Sequence, residues 1–235
     1  VIAGDVLLSD YDTVIWYLGN ESSVDDTFDA TEQALVTAYR ATGGDLIVSG
    51  AEIGWDLDFL NNGRSFYNAV LQADYVFDDA QTYDVAGVPG TLFEGLAFSF
   101  DDGSRWFNAE YPDVIAPLGG AETPLTYVGG TGGGAAVQDR GTAPGAGDLV
   151  MLGFPFVTIT EAEDRADVMA AMLAFLGNGA CAGDVTGDGA VDVGDLLALL
   201  AAWGGCVDCP EDLNGDGAVD VGDLLGLLAA WGPCA

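Results

Sequence analysis

The chain has 235 residues, half of them apolar, and a formal net charge of −33 from 38 acids set against five arginines, with no lysine and no histidine. That length holds one ordinary domain and a small module, and an apolar half supports a real core and argues against disorder. Without a basic patch, nucleic acid, polyphosphate and anionic membranes are poor partners; without histidine or lysine, the Ser-His-Asp and Cys-His triads, imidazole bases, usual zinc sites, Schiff bases and P-loops are excluded.

From the amino end, short β-rich runs alternate with helical ones, which predicts an α/β domain with crossovers. Thr13 to Leu18 (TVIWYL) reads as a buried strand. Asp29 and Glu32 have capping-box spacing ahead of a helix through Tyr39 that stops at Gly43 and Gly44. Asp45 to Ser49 (DLIVS) is the next strand, a parallel neighbour by the right-handed crossover rule. A helix from Arg64 to Gln72 follows, then β-rich segments near Tyr75, Tyr83 and Leu96.

Between Pro112 and Gly147 the chain is rich in Gly and Pro, with strands predicted at Leu125 to Val128 and Ala135 to Gln138. The run Gly129 to Gly134 lacks both the lysine and the βα setting of a phosphate loop, so it reads as a hairpin or surface turn. Leu149 to Gly153 (LVMLG) is a last core strand, and Thr160 with Glu163 caps a closing helix to Leu176. The boundaries this gives are a domain over 1–177, a linker over 178–180 and a module over 181–235.

The module is a repeat. DVTGDGAVDVGDLLALLAAWG begins at Asp184 and DLNGDGAVDVGDLLGLLAAWG at Asp212, 21 residues each with 18 identical at an offset of 28. The second copy fits the loop D-x-[DN]-x-[DN]-G, in which alternate residues turn oxygens around a hard cation, and the first departs from it only at Thr186. The expected calcium ligands are Asp184, Thr186, Asp188, the Ala190 carbonyl, Asp192 and Asp195 in the first copy. In the second they are Asp212, Asn214, Asp216, the Ala218 carbonyl, Asp220 and Asp223. Two calcium ions follow, the first more weakly held because Thr186 replaces an Asp or Asn.

Gly189 and Gly217 take the sharp turn, and Val191 and Val219 suit pairing of the two loops. Leu196, Leu199, Leu200 and Trp203, repeated as Leu224, Leu227, Leu228 and Trp231, have the spacing of a helical core face. With four carboxylates per loop repelling one another, cation removal is expected to unfold the module.

Cys181, Cys206, Cys209 and Cys234 obey the same offset, which points to structural disulfides in an oxidising, extracellular compartment. The C-x-x-C of Cys206 and Cys209 lies in a Gly/Pro bridge, not after a strand as a redox site does. There is no initiator Met and no apolar run that spans a bilayer, so the chain reads as a mature secreted product or an excised part of one.

A twelfth-position Asp in place of Glu, one helix per loop and a tandem repeat of this period together resemble the dockerin family. Its members plug secreted bacterial proteins into cohesin-bearing partners. The resemblance implies approximate twofold symmetry, which would pair Cys181 with Cys234 and Cys206 with Cys209, with pairing inside each repeat as the alternative. It also implies a small all-α module that docks onto a cohesin-like protein; docking onto another copy of this chain, extending to filaments, is expected instead from the short tether between the domains and an open sheet edge.

The segments VIWYLG, GGDLIVSGAEIG and GFPF before an Arg-bearing helix resemble class I glutamine-amidotransferase-like domains over most of residues 5 to 177. That implies a doubly wound, mostly parallel sheet of flavodoxin or amidotransferase type. It also places Glu52 of Gly50-Ala51-Glu52-Ile53-Gly54 where catalytic members carry cysteine, so no amidotransferase chemistry is expected. A missing first strand would leave a sheet edge open for pairing.

Glu52, Asp56 and Asp58 form a candidate acid pair for glycoside hydrolysis with Trp55 as a sugar platform, although a solvated acidic loop is the simpler reading. Asp25, Asp26 and Asp29, then Asp78 and Asp79, then Asp101 and Asp102 are further candidate calcium clusters. The expected protein is therefore a non-enzymatic, secreted calcium-binding assembly protein. The alternative is a dockerin-borne carbohydrate-active hydrolase or carbohydrate-binding protein.

Overall fold

The computed structural model describes residues 6–19, 21, 24, 26–103, 108–141, 146–177, 183–186, 190–205, 209–214 and 216–233. The chain divides into two compact units, Val1–Leu176 and Gly177–Ala235.

In the first unit the elements run β1 (Thr13–Gly19), α1 (Ala30–Arg40), β2 (Asp45–Gly50), a π-helical turn (Trp55–Phe59), α2 (Arg64–Ala69) and β3 (Ala73–Phe77). Then come β4 (Asp84–Gly87), β5 (Ala97–Ser99), β6 (Val114–Pro117), β7 (Leu125–Tyr127), β8 (Ala136–Asp139), β9 (Leu149–Leu152) and α3 (Ala162–Gly177). Helix α1 starts as its sequence dictates. Asp29 accepts from the amides of Thr31 and Glu32, and the Glu32 carboxylate accepts from the Asp29 amide, a complete capping box.

The main sheet has the order β1-β2-β9-β8. Strands β1, β2 and β9 run parallel, with Leu46 opposite Leu149, and β8 is antiparallel to β9. Burial on both faces explains why β2 and β9 read as unbroken apolar runs. Leu46, Val48, Leu149 and Met151 pack with Val36 and Tyr39 of α1 and Tyr67 of α2. Ile47, Val150 and Leu152 alternate to the other face, against Val168, Met172 and Phe175 of α3.

The doubly wound, mostly parallel sheet is corrected here. Parallel pairing stops at three strands. The remaining strands form an antiparallel β3-β6 pair and an antiparallel β5-β4-β7 sheet. A parallel connection needs a crossover of roughly a dozen residues or more, usually helical, and only 78–83 lie between β3 and β4. With no helix between α2 and β9 among the described residues, this stretch pairs antiparallel. Gly129 to Gly133 turn the chain from β7 toward β8, four of them at positive φ, as a hairpin turn requires.

The second unit carries β10 (Ala190–Val191), α4 (Val193–Ala201), β11 (Gly204–Gly205), β12 (Ala218–Val219), α5 (Val221–Ala229) and β13 (Gly232–Pro233). It is not all-α, and its loops do not pair with each other. Val191 lies opposite Gly232 and Val219 opposite Gly204, so each loop strand pairs with the segment that leaves the other copy's helix. The two pairings interchange under the 28-residue offset.

Among the described residues, Val191, Leu199, Val219 and Leu227 are the fully buried apolar side chains of this unit, with Leu196 and Leu224 partly so. Leu200, Trp203, Leu228 and Trp231 are about half exposed. The predicted core face is narrower than its spacing suggests because one short helix meets only one other.

Candidate functional site

The repeated loops fold through their own amides. In the second copy Asp212 accepts from the amides of Asp216 (3.1 Å) and Gly217 (2.8 Å), which closes the loop's first half. Asn214 accepts from the Asp216 amide and Asp216 from that of Ala218. Gly217 sits at φ +90, the left-handed turn that the sixth position demands. Asp220 caps α5 by accepting from Gly222, while the buried Asp223 accepts from Asn214 and Asp220, pinning the loop start to its end.

The first copy repeats the second half of this pattern. Asp192 accepts from Gly194, and buried Asp195 accepts from Thr186 (2.9 Å) and Asp192 (2.8 Å). Burial pushes the Asp195 carboxyl up, but the Asp192 and Thr186 amides outweigh it and hold the group down at about 2. The Asp220 amide, foremost, holds Asp223 below its ordinary value. Thr186 turns its hydroxyl to Asp184 at 3.4 Å. Asp188 and Gly189 lie outside the described residues, as do Cys181, Cys206 and Cys234; Cys209 is disulfide-bonded.

At the elbow after β2, Glu52 is held at φ +58, a conformation that a non-glycine residue adopts at a cost. Burial first, then the charges of Asp78, Glu110 and Asp56, raise its carboxyl above the ordinary range. The supposed second acids do other work. Asp56 is fully buried and accepts from the Thr27 amide and hydroxyl and from Asn62. Asp58 pairs with Arg64 at 2.7 Å and accepts from the Tyr75 amide. Trp55 stacks on Phe59, with ring centroids 4.3 Å apart, and Tyr75 meets both rings.

No family model matches this sequence, and no curated protein matches it. Solved structures do. The mmIFT52 N-terminal domain is 16% identical over 74% of this chain and 80% of its own, with a TM-score of 0.50, so the likeness is one of fold. The cold-adapted β-galactosidase from Rahnella sp. R3 is 22% identical with a TM-score of 0.47. The β-galactosidase from Bacillus circulans sp. alkalophilus is 15% identical with a TM-score of 0.49. Both match 72% of this chain, which spans only about a quarter, 23%, of their length.

In each of the other acid clusters one carboxylate is engaged by the fold, and Asp25 lies outside the described residues. Asp29 caps α1, Asp79 accepts from the Gln81 amide, and Asp101 accepts from the amides of Gly103 and Ala109. Among the described residues no three Cys, Asp or Glu side chains converge as a metal cage.

The donor chemistry of the repeated loops nevertheless suits calcium. It is all oxygen, and a carboxylate with about four lone-pair positions keeps some after accepting one or two amides. Residue-by-residue reading missed Asp113 and Tyr67. Asp113 is fully buried and accepts from the amides of Gly54 (2.6 Å) and Trp55. A lone acid in the run PDVIAP was its one sequence signal.

Proposed function

We propose that this is a secreted, calcium-binding assembly protein. Asp184, Thr186, Asp188, Ala190, Asp192 and Asp195 would hold one ion, and Asp212, Asn214, Asp216, Ala218, Asp220 and Asp223 a second. Bound calcium supplies the charge that offsets four mutually repelling carboxylates per loop. The observation that carries the reading is the repetition of one loop–helix unit in which the last Asp of each loop accepts from the same two amides, Thr186 and Asp192 in one copy and Asn214 and Asp220 in the other. A disulfide at Cys209 suits an oxidising, extracellular setting.

The stiffened unit docks through apolar side chains that it leaves in solvent in duplicate. Val193, Leu197 and Leu200 on α4 are matched by Val221, Leu225 and Leu228 on α5, all between 47% and 62% exposed. Its partner is a cohesin-like protein or a second copy, whose repeated docking builds a filament.

Calorimetric titration of chelator-treated protein is expected to show two binding events, the weaker at the Thr186 loop. Chelation should remove the α4 and α5 helical signal, and light scattering with calcium should show larger particles if the partner is self. Absence of calcium heat, together with helices that persist in EGTA, would refute the proposal.

A further inference from the structure

We propose that β1 pairs edge to edge with β1 of a second copy of this chain, antiparallel and centred on Ile15, so that two main sheets become one across a twofold axis. The order β1-β2-β9-β8 leaves β1 at a margin of its sheet. The Asp45 amide donates to the Asp12 carbonyl, and successive residues of a strand paired in parallel turn their N–H and C=O groups to opposite edges. Asp12, Val14 and Trp16 therefore face β2, and the backbone groups of Thr13, Ile15 and Tyr17 face outward. Among the described residues those outward groups meet no hydrogen-bond partner.

Other strand margins of this unit are closed by the chain itself. Gln138 of β8 bridges to Glu122, while Ile115 of β6 and Thr126 of β7 bridge to Gly134. The Ser99 carbonyl of β5 accepts from the Thr160 amide, and Asp58 accepts from the Tyr75 amide of β3. Edges that stay in water are ordinarily defended by charge, proline or a covering segment. The run TVIWYL has neither charge nor proline, and Ile15 and Tyr17 are each 41% exposed.

The occupant follows from the pattern of the edge. Outward donors and acceptors repeating every second residue are matched by another extended backbone. Centring on Ile15 sets Thr13 against the second copy's Tyr17 and Ile15 against its own counterpart, so every outward group is used and each pair exchanges both hydrogen bonds. These are β-branched and aromatic cross-strand pairs, which stabilise a ladder. The charges agree as well: Asp12 falls opposite Leu18, whereas parallel pairing would bring the two Asp12 carboxylates together. A net charge of −33 opposes association, but at physiological salt it is screened beyond about 8 Å, and the strand itself is uncharged. With the other margins closed, the pairing is isologous and stops at two copies.

This interface belongs to the amino-terminal unit and goes beyond the calcium reading, on which it does not depend. The test is sedimentation of the full chain at physiological salt over a micromolar-to-millimolar series, in calcium and in EGTA, joined to amide hydrogen exchange. A dimer is expected in EGTA as well as in calcium. The Thr13, Ile15 and Tyr17 amides should exchange about tenfold more slowly once about nine copies in ten are paired.

Ile15→Pro removes one outward amide and spares the ladder to β2, so it should weaken the dimer at least about tenfold. Ile15→Glu sets like charges opposite each other and should do the same, with melting curves checking that both variants fold; Ile15→Val should keep the dimer. A chain that stays monomeric throughout overturns the proposal. So does a dimer found only with calcium whose Thr13, Ile15 and Tyr17 amides exchange as fast as the monomer's, because that result assigns self-association to the carboxy-terminal unit. Slowed amides in EGTA support the pairing whether or not calcium binds, so the two readings fail separately.

Discussion

Leu227→Ala is expected to unfold the carboxy-terminal unit at room temperature while the amino-terminal unit melts unchanged. Leu227 is one of four fully buried apolar side chains among the described residues of that unit, with Val191, Leu199 and Val219. A core so small supplies roughly 3–5 kcal/mol before any staple is added. Truncating a buried leucine to alanine costs about 2–5 kcal/mol, the upper end where the walls cannot collapse into the void. Collapse is limited here, since the Gly183 backbone packs against Leu227 closely enough that an added Cβ would lie 3.2 Å from the Leu227 Cα.

Leu225→Ala removes the same atoms from a side chain that is 62% exposed and should change stability by no more than about 0.5 kcal/mol. Scanning calorimetry of the two variants in calcium measures the contrast. A carboxy-terminal transition unmoved by Leu227→Ala would mean that the described core is not what holds the unit together.

Much of the local structure is legible in the sequence because it depends on neighbours a few residues apart. The Asp29 capping box, the apolar runs of β2 and β9 and the duplicated loops all declare themselves by spacing. Pairing is not local. Strands of three to five residues between Ala73 and Asp139 look alike whether they join a parallel sheet or fold back on one another. Connector length decides between the two, and it is easy to overlook when a strong βαβ start sets the expectation.

The stripe of Leu196, Leu199, Leu200 and Trp203 shows a second limit. Spacing tells which side chains share a face, not how much of that face a partner covers. Asp113 shows a third, since its role appears only when it meets the Gly54 amide, 59 positions away. The same distance effect hid the work of Asp56, whose buried carboxylate is anchored at Thr27, 29 positions off.

The amino-terminal unit is expected to be more stable near pH 5 than near pH 8, the reverse of the usual pattern for an acidic protein stabilised by ion pairs. Burial raises the Asp113 carboxyl well above the ordinary value of 3.8, and only the Gly54 and Trp55 amides pull against it. Burial likewise raises Asp45 to about 6, and raises Asp148 and Glu52 in the same direction. A group with a raised value binds its proton more tightly folded than unfolded. Its contribution is therefore complete below the unfolded value near 4 and is lost as pH climbs through the folded one. For Asp45 that window runs from 3.8 to about 6, and for Asp113 it extends higher.

Within its window each such group lowers stability by at most about 1.4 kcal/mol per pH unit, less for the half-exposed ones because water screens them. Self-repulsion of a chain with net charge −33 acts in the same direction, so a single substitution has to isolate the buried acid. Asp113→Asn keeps an oxygen for the two amides and removes the titration. Urea unfolding across pH 4 to 8 should show the variant and the parent alike at the acid end and the variant the more stable at the alkaline end. A parent unit that gains stability between pH 5 and 8, or a variant whose pH profile stays parallel to it, would show that Asp113 does not carry its proton in the folded chain.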